Sequence, residues 1–158
     1  MKISVTRDSL HAGLGAVAAT IPSKTTLPVL SNILLEARDG ALSLSGTDLD
    51  ISVSVKIDAE VEQEGAVTVP ARKFAEIARE LPAAPVHIEV DGMEIRIEGG
   101  KSKFKLFGLA PEEFPSFPEV DFGESWRMKA ADLHELISRV SFAVSTEESR
   151  PILNGVLW

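Results

Sequence analysis

Apolar residues alternate with polar ones through Ile3 and Val5, then recur at helical spacing as Leu10, Leu14, Val17 and Ile21 before Pro22. The period of two predicts a strand and the longer period an amphipathic helix, with Asp8 near its start as a cap and Pro22 as its stop. Leu30 to Glu36 reads as a buried strand, Asp39-Gly40 as a tight turn, and Leu42 and Leu44 as the returning strand. Gly46-Thr47-Asp48 predicts another turn into Ile51, Val53, Val55 and Ile57. These alternate strictly with Ser52, Ser54 and Lys56, so one face of that strand is expected to be buried and the other wet.

The same order then recurs in shorter form. Val67 and Val69 predict a strand, Pro70 stands where a first helical turn tolerates it, and Phe74, Ile77, Ala78 and Leu81 form a helical stripe before Pro82. Val86, Ile88 and Val90, the Asp91-Gly92 turn, Ile95 and Ile97, Gly99-Gly100, and Phe104 and Leu106 complete a second set of strands. The chain therefore reads as two β-α-β-β-β units, 1–58 and 65–109, of an α+β fold. Each helix has one apolar stripe and each sheet one apolar face, so two antiparallel sheets are expected to close over a pair of helices, with eight strands in all. From Ala110 to Gly123, Pro111, Pro115 and Pro118 predict an extended linker, with Phe114 and Phe117 tucked against the domain edge.

A longer period overlies this pattern. Shifted by 123 positions without a gap, Leu10 falls on Leu133, His11 on His134, Val17 on Val140, Pro28 on Pro151, Leu30 on Leu153 and Leu34 on Leu157. Leu14 meets Ile137, Ile21 meets Val144, Val29 meets Ile152 and Ile33 meets Val156. Such a repeat predicts copies of one domain of about 120 residues. Residues 1–122 would be one whole copy and 124–158 the start of the next, as strand, helix and strand. The last of these, from Ile152, would lack sheet partners, and the tail is expected to pack back on the first copy or pair with a second chain.

Composition narrows the chemistry. The 158 residues carry a formal charge of −8 and no cysteine, which removes disulfides, thiolate nucleophiles and cysteine-type zinc sites. No N-terminal apolar run is long enough for a signal peptide or a membrane span, so a cytoplasmic location without membrane contact is expected. The acid is concentrated between Glu36 and Glu64 and between Glu112 and Glu124, whereas residues 1–31 hold Lys2, Arg7 and Lys24 against Asp8 alone. Ordinary solvated surface explains that distribution; so does a single positive face that meets a polyanion in one orientation. His11 and His134 share a place in the repeat and His87 lies on a strand, but none has neighbours at metal-ligand spacing. No Gly-rich phosphate loop, nucleophile elbow or paired-carboxylate motif is present, so neither metal, cofactor nor catalytic residue is predicted.

Four stretches carry a resemblance: Leu27-Pro28-Val29-Leu30-Ser31-Asn32-Ile33-Leu34-Leu35, Leu42-Ser43-Leu44-Ser45-Gly46-Thr47-Asp48-Leu49, Val67-Thr68-Val69-Pro70-Ala71-Arg72-Lys73-Phe74 and Arg150-Pro151-Ile152-Leu153-Asn154-Gly155. In order and spacing they resemble the bacterial DNA sliding clamp, the β subunit of the replicative DNA polymerase III. The resemblance implies the DNA-clamp fold, three domain copies per subunit and a ring of two subunits around duplex DNA. This chain would then be a fragment of a non-catalytic processivity factor. A clamp-fold interaction module that does not encircle DNA is the alternative.

By that resemblance the helices line the hole, making Arg7, Lys24, Arg72, Lys73, Arg79 and Arg139 the candidates for facing DNA. Each also reads as a plain solvated cation. Lys101, Lys103, Phe104 and Leu106 would lie on the strand that meets the partner subunit, although lysines on an edge strand also guard against aggregation. Arg150 and Leu153 would belong to a pocket for peptides of the polymerase and the clamp loader, most of whose wall has no counterpart in this chain.

Overall fold

Strand β1 (Lys2–Thr6) runs directly into helix α1 (Arg7–Val17), because Thr6 stays extended and its hydroxyl accepts the Ser9 N–H at 3.1 Å. That is N-cap geometry, so the cap is Thr6 and the expected Asp8 sits inside the first turn. The computed structural model describes residues 1–158 except 23, 118–122, 124, 148 and 158. Two compact units emerge, Met1–Phe117 and Pro118–Trp158.

In the first unit α1 ends in a 3-10 turn, Ala18–Thr20, and a second such turn, Pro28–Ser31, precedes β2 (Asn32–Arg38). The strand expected from Leu30 thus starts two residues later: Pro28 fixes the backbone for a turn, and the Leu30 N–H closes it on the Leu27 carbonyl at 3.1 Å. β3 (Ala41–Thr47) returns antiparallel to β2, with Arg38 opposite Ala41. Between them Asp39 and Gly40 both take positive φ, 51° and 72°, as a two-residue hairpin of matching twist requires.

β4 (Ser52–Asp58) pairs along the whole of β3, Gly46 opposite Val53 and Thr47 opposite Ser52. The turn expected at Gly46-Thr47-Asp48 therefore lies at 48–51, where the Asp48 carboxylate accepts the Asp50 and Ile51 N–H groups at 3.0 and 2.7 Å. After Ala59 the backbone continues as β5 (Glu60–Gln63) but changes sheet and pairs with β1. This short, mostly polar strand makes nine strands among the described residues of the unit, against the eight expected.

β6 (Gly65–Pro70) leads into α2 (Ala71–Glu80), followed by β7 (Pro85–Asp91), β8 (Glu94–Gly99) and β9 (Ser102–Phe107). Asp91 pairs with Glu94, which moves the predicted turn by one residue to Gly92-Met93. The sheets are antiparallel throughout, in the orders β5-β1-β7-β8-β9 and β4-β3-β2-β6. α1 lies on β3 and β4, α2 on β2 and β6, and the two helices touch. Leu10, Leu14 and Val17 of α1 and Phe74 and Ala78 of α2 join Ile3, Val5, Leu35, Leu44, Val69, Ile88 and Ile97 in one core.

The sheets also meet beyond β9. Thr68 Oγ1 accepts the Leu109 N–H at 2.9 Å and the Asn32 side-chain amide at 2.9 Å, and donates to the Leu109 carbonyl at 3.1 Å; the Asn32 bond is buried and the two to Leu109 are part-buried. The expected extended linker begins with a 3-10 turn, Pro111–Glu113, and Phe114 is buried with its ring 6.3 Å from that of Phe117. These rings lie beside Leu34, Glu36 and Ser45 on the outward face of the four-stranded sheet. Most of the remaining linker, 118–122, is outside the described residues.

The second unit holds helix α3 (Ala130–Val140), then 3-10 turns at Ser141–Ala143 and Pro151–Leu153. Arg7–Val17 and Ala18–Thr20 shifted by 123 positions fall on Ala130–Val140 and Ser141–Ala143, so helix and turn recur at the same repeat positions. Neither flanking strand expected there forms among the described residues. Leu136, Ile137, Val140 and Phe142 are exposed.

Candidate nucleic-acid interface

The outward surface of the α1 and α2 pair follows from which residues their stripes leave over. With Leu10, Gly13, Leu14 and Val17 turned inward, α1 shows His11, Ala12, Gly15, Ala16 and, just past its end, Ala18 and Ala19. With Ala71, Phe74 and Ala78 turned inward, α2 shows Arg72, Lys73, Ala75, Glu76 and Arg79. The helices run antiparallel: Arg7 at the start of α1 reaches the last turn of α2, while Ala18 shares a cavity of about 480 Å³ with Ala71 and Arg72. Between them lies an open groove walled by His11, Gly15 and Ala18 on one side and Arg72, Glu76 and Arg79 on the other. Small side chains on α1 leave nothing bulky in the way of a long, smooth ligand.

Charge on this face departs from that of the whole. The two helices hold Arg7, Arg72, Lys73 and Arg79 against Asp8, Glu76 and Glu80, four cations to three carboxylates, within a chain of net −8. Arg72 and Arg79 are seven residues apart, about 10 Å along the helix and on one face of it.

The six predicted cations fare differently. Arg72 is exposed and makes no ion pair among the described residues, and the same holds for Lys24 in the loop after α1. Lys73 pairs with Glu76 at 3.4 Å and Arg79 with Glu80 at 3.2 Å, both largely in water, where such pairs cost little to exchange. Arg139 belongs to α3 in the second unit and is paired with Glu135 at 2.6 Å. Arg7 is engaged with Asp8 and with the Arg79 carbonyl, an arrangement visible only in the folded chain.

The strand predicted to meet a partner, β9, is the edge of the five-stranded sheet. Phe104 and Leu106 point back to the core and are half-buried. Lys103 is bonded to Glu98 across the hairpin at 2.8 Å, so its carboxylate partner lies within its own sheet; Lys101 makes no ion pair among the described residues. Beside them Glu94 takes both Lys105 and Arg96 at 2.8 Å. The Lys105 hydrogen bond, with a smaller one from Arg96, holds the Glu94 carboxyl below its usual range, and Glu94 in turn raises Arg96. Sequence reading missed Phe107, 65% exposed at the open end of β9 beside exposed Met93. The inward turn of Phe104 and Leu106 already implies it, because alternate strand residues face opposite ways.

In the second unit Arg150 and Leu153 bracket one 3-10 turn, the Leu153 N–H donating to the Arg150 carbonyl at 2.9 Å, and both side chains are exposed. The three histidines are exposed, and no group of carboxylates and histidines among the described residues is arranged to hold a metal ion. No helix is long and apolar enough to cross a membrane among those residues.

Comparison with known proteins adds to this geometry. The profile of the DNA polymerase III beta subunit, N-terminal domain, matches residues 1–118. The beta sliding clamp of Bacillus subtilis is 37% identical over all of this chain and that of Streptomyces coelicolor 36% over 99% of it. The chain spans 44% and 41% of the lengths of those two relatives. Among solved structures, the DNA polymerase III subunit beta from Pseudomonas aeruginosa superposes with a TM-score of 0.93 at 34% identity, over 98% of this chain and 43% of that one. The sliding clamp from Caulobacter crescentus gives 0.89 at 38% identity, over 98% and 43%.

Proposed function

This chain belongs, through residues 1–118, to the family of the DNA polymerase III beta subunit, and on that footing we propose that it forms part of a sliding clamp, a non-catalytic processivity factor that encircles duplex DNA and tethers the replicative polymerase. The observation that carries the reading is the antiparallel pair α1 and α2. Its exposed face joins small side chains to Arg72, Lys73 and Arg79 in a chain that is otherwise acidic.

Such a face suits a ring. Topology supplies retention, so the protein needs no base-reading groups, and scattered cations attract phosphates without fixing a register. Arg72 and Lys24 are the readiest contacts because no carboxylate among the described residues holds them; Lys73 and Arg79 follow by exchanging surface partners, and Arg139 would act from the next domain copy. Within the proposal, 1–122 is one whole clamp domain and 124–158 the beginning of the next. Two subunits close the ring with β9 at the joint, where Phe104 and Leu106 back an open edge and Lys101 and Lys103 meet acid on the partner. Arg150 and Leu153 contribute to a pocket for peptides of DNA polymerase III and the clamp loader. A cytoplasmic site of action completes the proposal, which involves no metal and no cofactor.

The test joins this chain to the remaining domains of a beta sliding clamp and compares retention on circular and linear duplex after loading. Retention on the circle with escape from linear ends is the expected result. Equal loss from both, at an ionic strength where a whole relative stays on the circle, rules the proposal out.

A further inference from the structure

We infer that Arg7 is a positioning residue of the cationic helix face, which ties the last turn of α2 to the first turn of α1 and so sets Arg79 across the groove from His11, and that it is not itself a ligand for phosphate. What Arg79 does there rests on the DNA-facing reading; the hold of Arg7 on α2 stands independently of it.

Arg7 differs from the other candidate cations in being partly covered: 31% of its side chain is exposed, against 66% for Arg79 and 73% for Arg139. Nη2 donates to the Arg79 carbonyl at 3.1 Å, across 72 residues of sequence, and Nη1 donates to Asp8 Oδ1 at 3.0 Å. Nε is buried without a hydrogen-bond partner among the described residues. An arginine free to swing would turn that nitrogen to water, because leaving it covered is costly; packing and two bonds therefore hold the group. To reach a phosphate it would have to give up both.

The acceptor has a matching need. Arg79 is in the last turn of α2, whose final carbonyls lack donors within the helix, and the Leu81 N–H serves only the Ile77 carbonyl, at 3.0 Å. A guanidinium here meets an orphaned acceptor and the negative end of the α2 dipole together. The same charge opposes the dipole at the start of α1, and the adjacent Asp8 offsets it. Starting a helix does not require an arginine at this place, because its repeat counterpart at the first position of α3 is Ala130. The side chain is thus explained by α2 and not by α1.

The test uses the full chain and the variants R7M, R7K, R79Q and R7M/R79Q, reading amide exchange along both helices and binding to a short duplex over a salt series. R7M is expected to speed exchange of the amides of residues 77–81 by about tenfold, the size of effect that follows loss of a hydrogen bond to a charged group. Amides in the second half of α1 should change less than twofold. R79Q is expected to flatten the dependence of log affinity on log salt by about 0.9, and R7M to leave that slope in place. R79Q should also weaken duplex binding less in R7M than in the native chain, a coupling that loss of stability alone would not produce.

Unchanged exchange at 77–81, or a slope flattened as much by R7M as by R79Q, overturns the inference. If R7M does not fold, R7K is read in its place: it keeps the charge but not the fork, and intermediate exchange supports the hold on α2 while unchanged exchange refutes it. Absence of salt-dependent duplex binding by the native chain overturns the role assigned to Arg79, and exchange then decides the hold of Arg7 on α2.

Discussion

Gly108 crosses Thr68 so closely that a methyl group on the glycine would overlap the Thr68 carbonyl oxygen. The obstacle is backbone of β6, which cannot swing aside as a side chain could. Substituting Gly108→Ala must therefore push apart the junction at which Leu109 bonds Thr68. A loss of about 3 kcal/mol or more in unfolding free energy is expected, measured by urea titration, with Gly15→Ala, whose added methyl meets nothing within 4 Å, as the harmless control.

Thr6 and Lys129 occupy the same place before α1 and α3, yet only Thr6 caps its helix through a side chain. Thr6→Ala should destabilise the first unit by about 1 kcal/mol, and Lys129→Ser should strengthen the first turn of α3 by a similar amount. Denaturant midpoints check the first change. Backbone chemical shifts and exchange at 130–133 check the second, and an unaltered α3 would contradict it.

The Glu94 carboxyl, held below its ordinary value of 4.5 mainly by Lys105, links stability to pH. A depressed carboxyl contributes fully above the unfolded value and loses its contribution as pH falls through the folded one. The difference in Tm between the native chain and Glu94→Gln should accordingly be steady at neutral pH and close only below about pH 4.5. A difference that vanishes near pH 6 would place its source elsewhere.

Arg72 and Lys73 are adjacent in sequence, but Lys73 is paired with Glu76 and Arg72 has no such pair among the described residues. On the DNA-facing reading, Arg72→Gln should weaken duplex binding at low salt and reduce the salt slope by about 0.9, and Lys73→Gln should have the smaller effect on affinity. Fluorescence anisotropy over a salt series measures both. Equal effects would mean that the Glu76 pair does not restrain Lys73.

Much of the fold is legible before any coordinates, and the misreadings have local causes. Alternation located the hairpin at Asp39-Gly40, and placed the one expected at Gly99-Gly100 one residue early, since Gly99 ends β8 opposite Ser102 and the turn is Gly100-Lys101. Gly46 reads as a turn, yet it lies in β3, where a Cβ would come 2.5 Å from Thr20 Oγ1: closeness to another element, and not a bend, explains the glycine. β5 escapes notice because three of its four residues are polar and its partner, β1, is some sixty positions away. For the candidate site, residue type identified the cations but not their commitments. The bond of Arg7 to Arg79 and that of Lys103 to Glu98 depend on tertiary placement and hairpin register, which no periodicity displays.

The passage of β4 into β5 through Ala59 has a mechanical outcome. One uninterrupted length of backbone is stitched along the rim of both layers, so neither can peel off without dragging on the other. Stress applied at one rim is shared across the sandwich, and the first unit should melt as a single block rather than layer by layer.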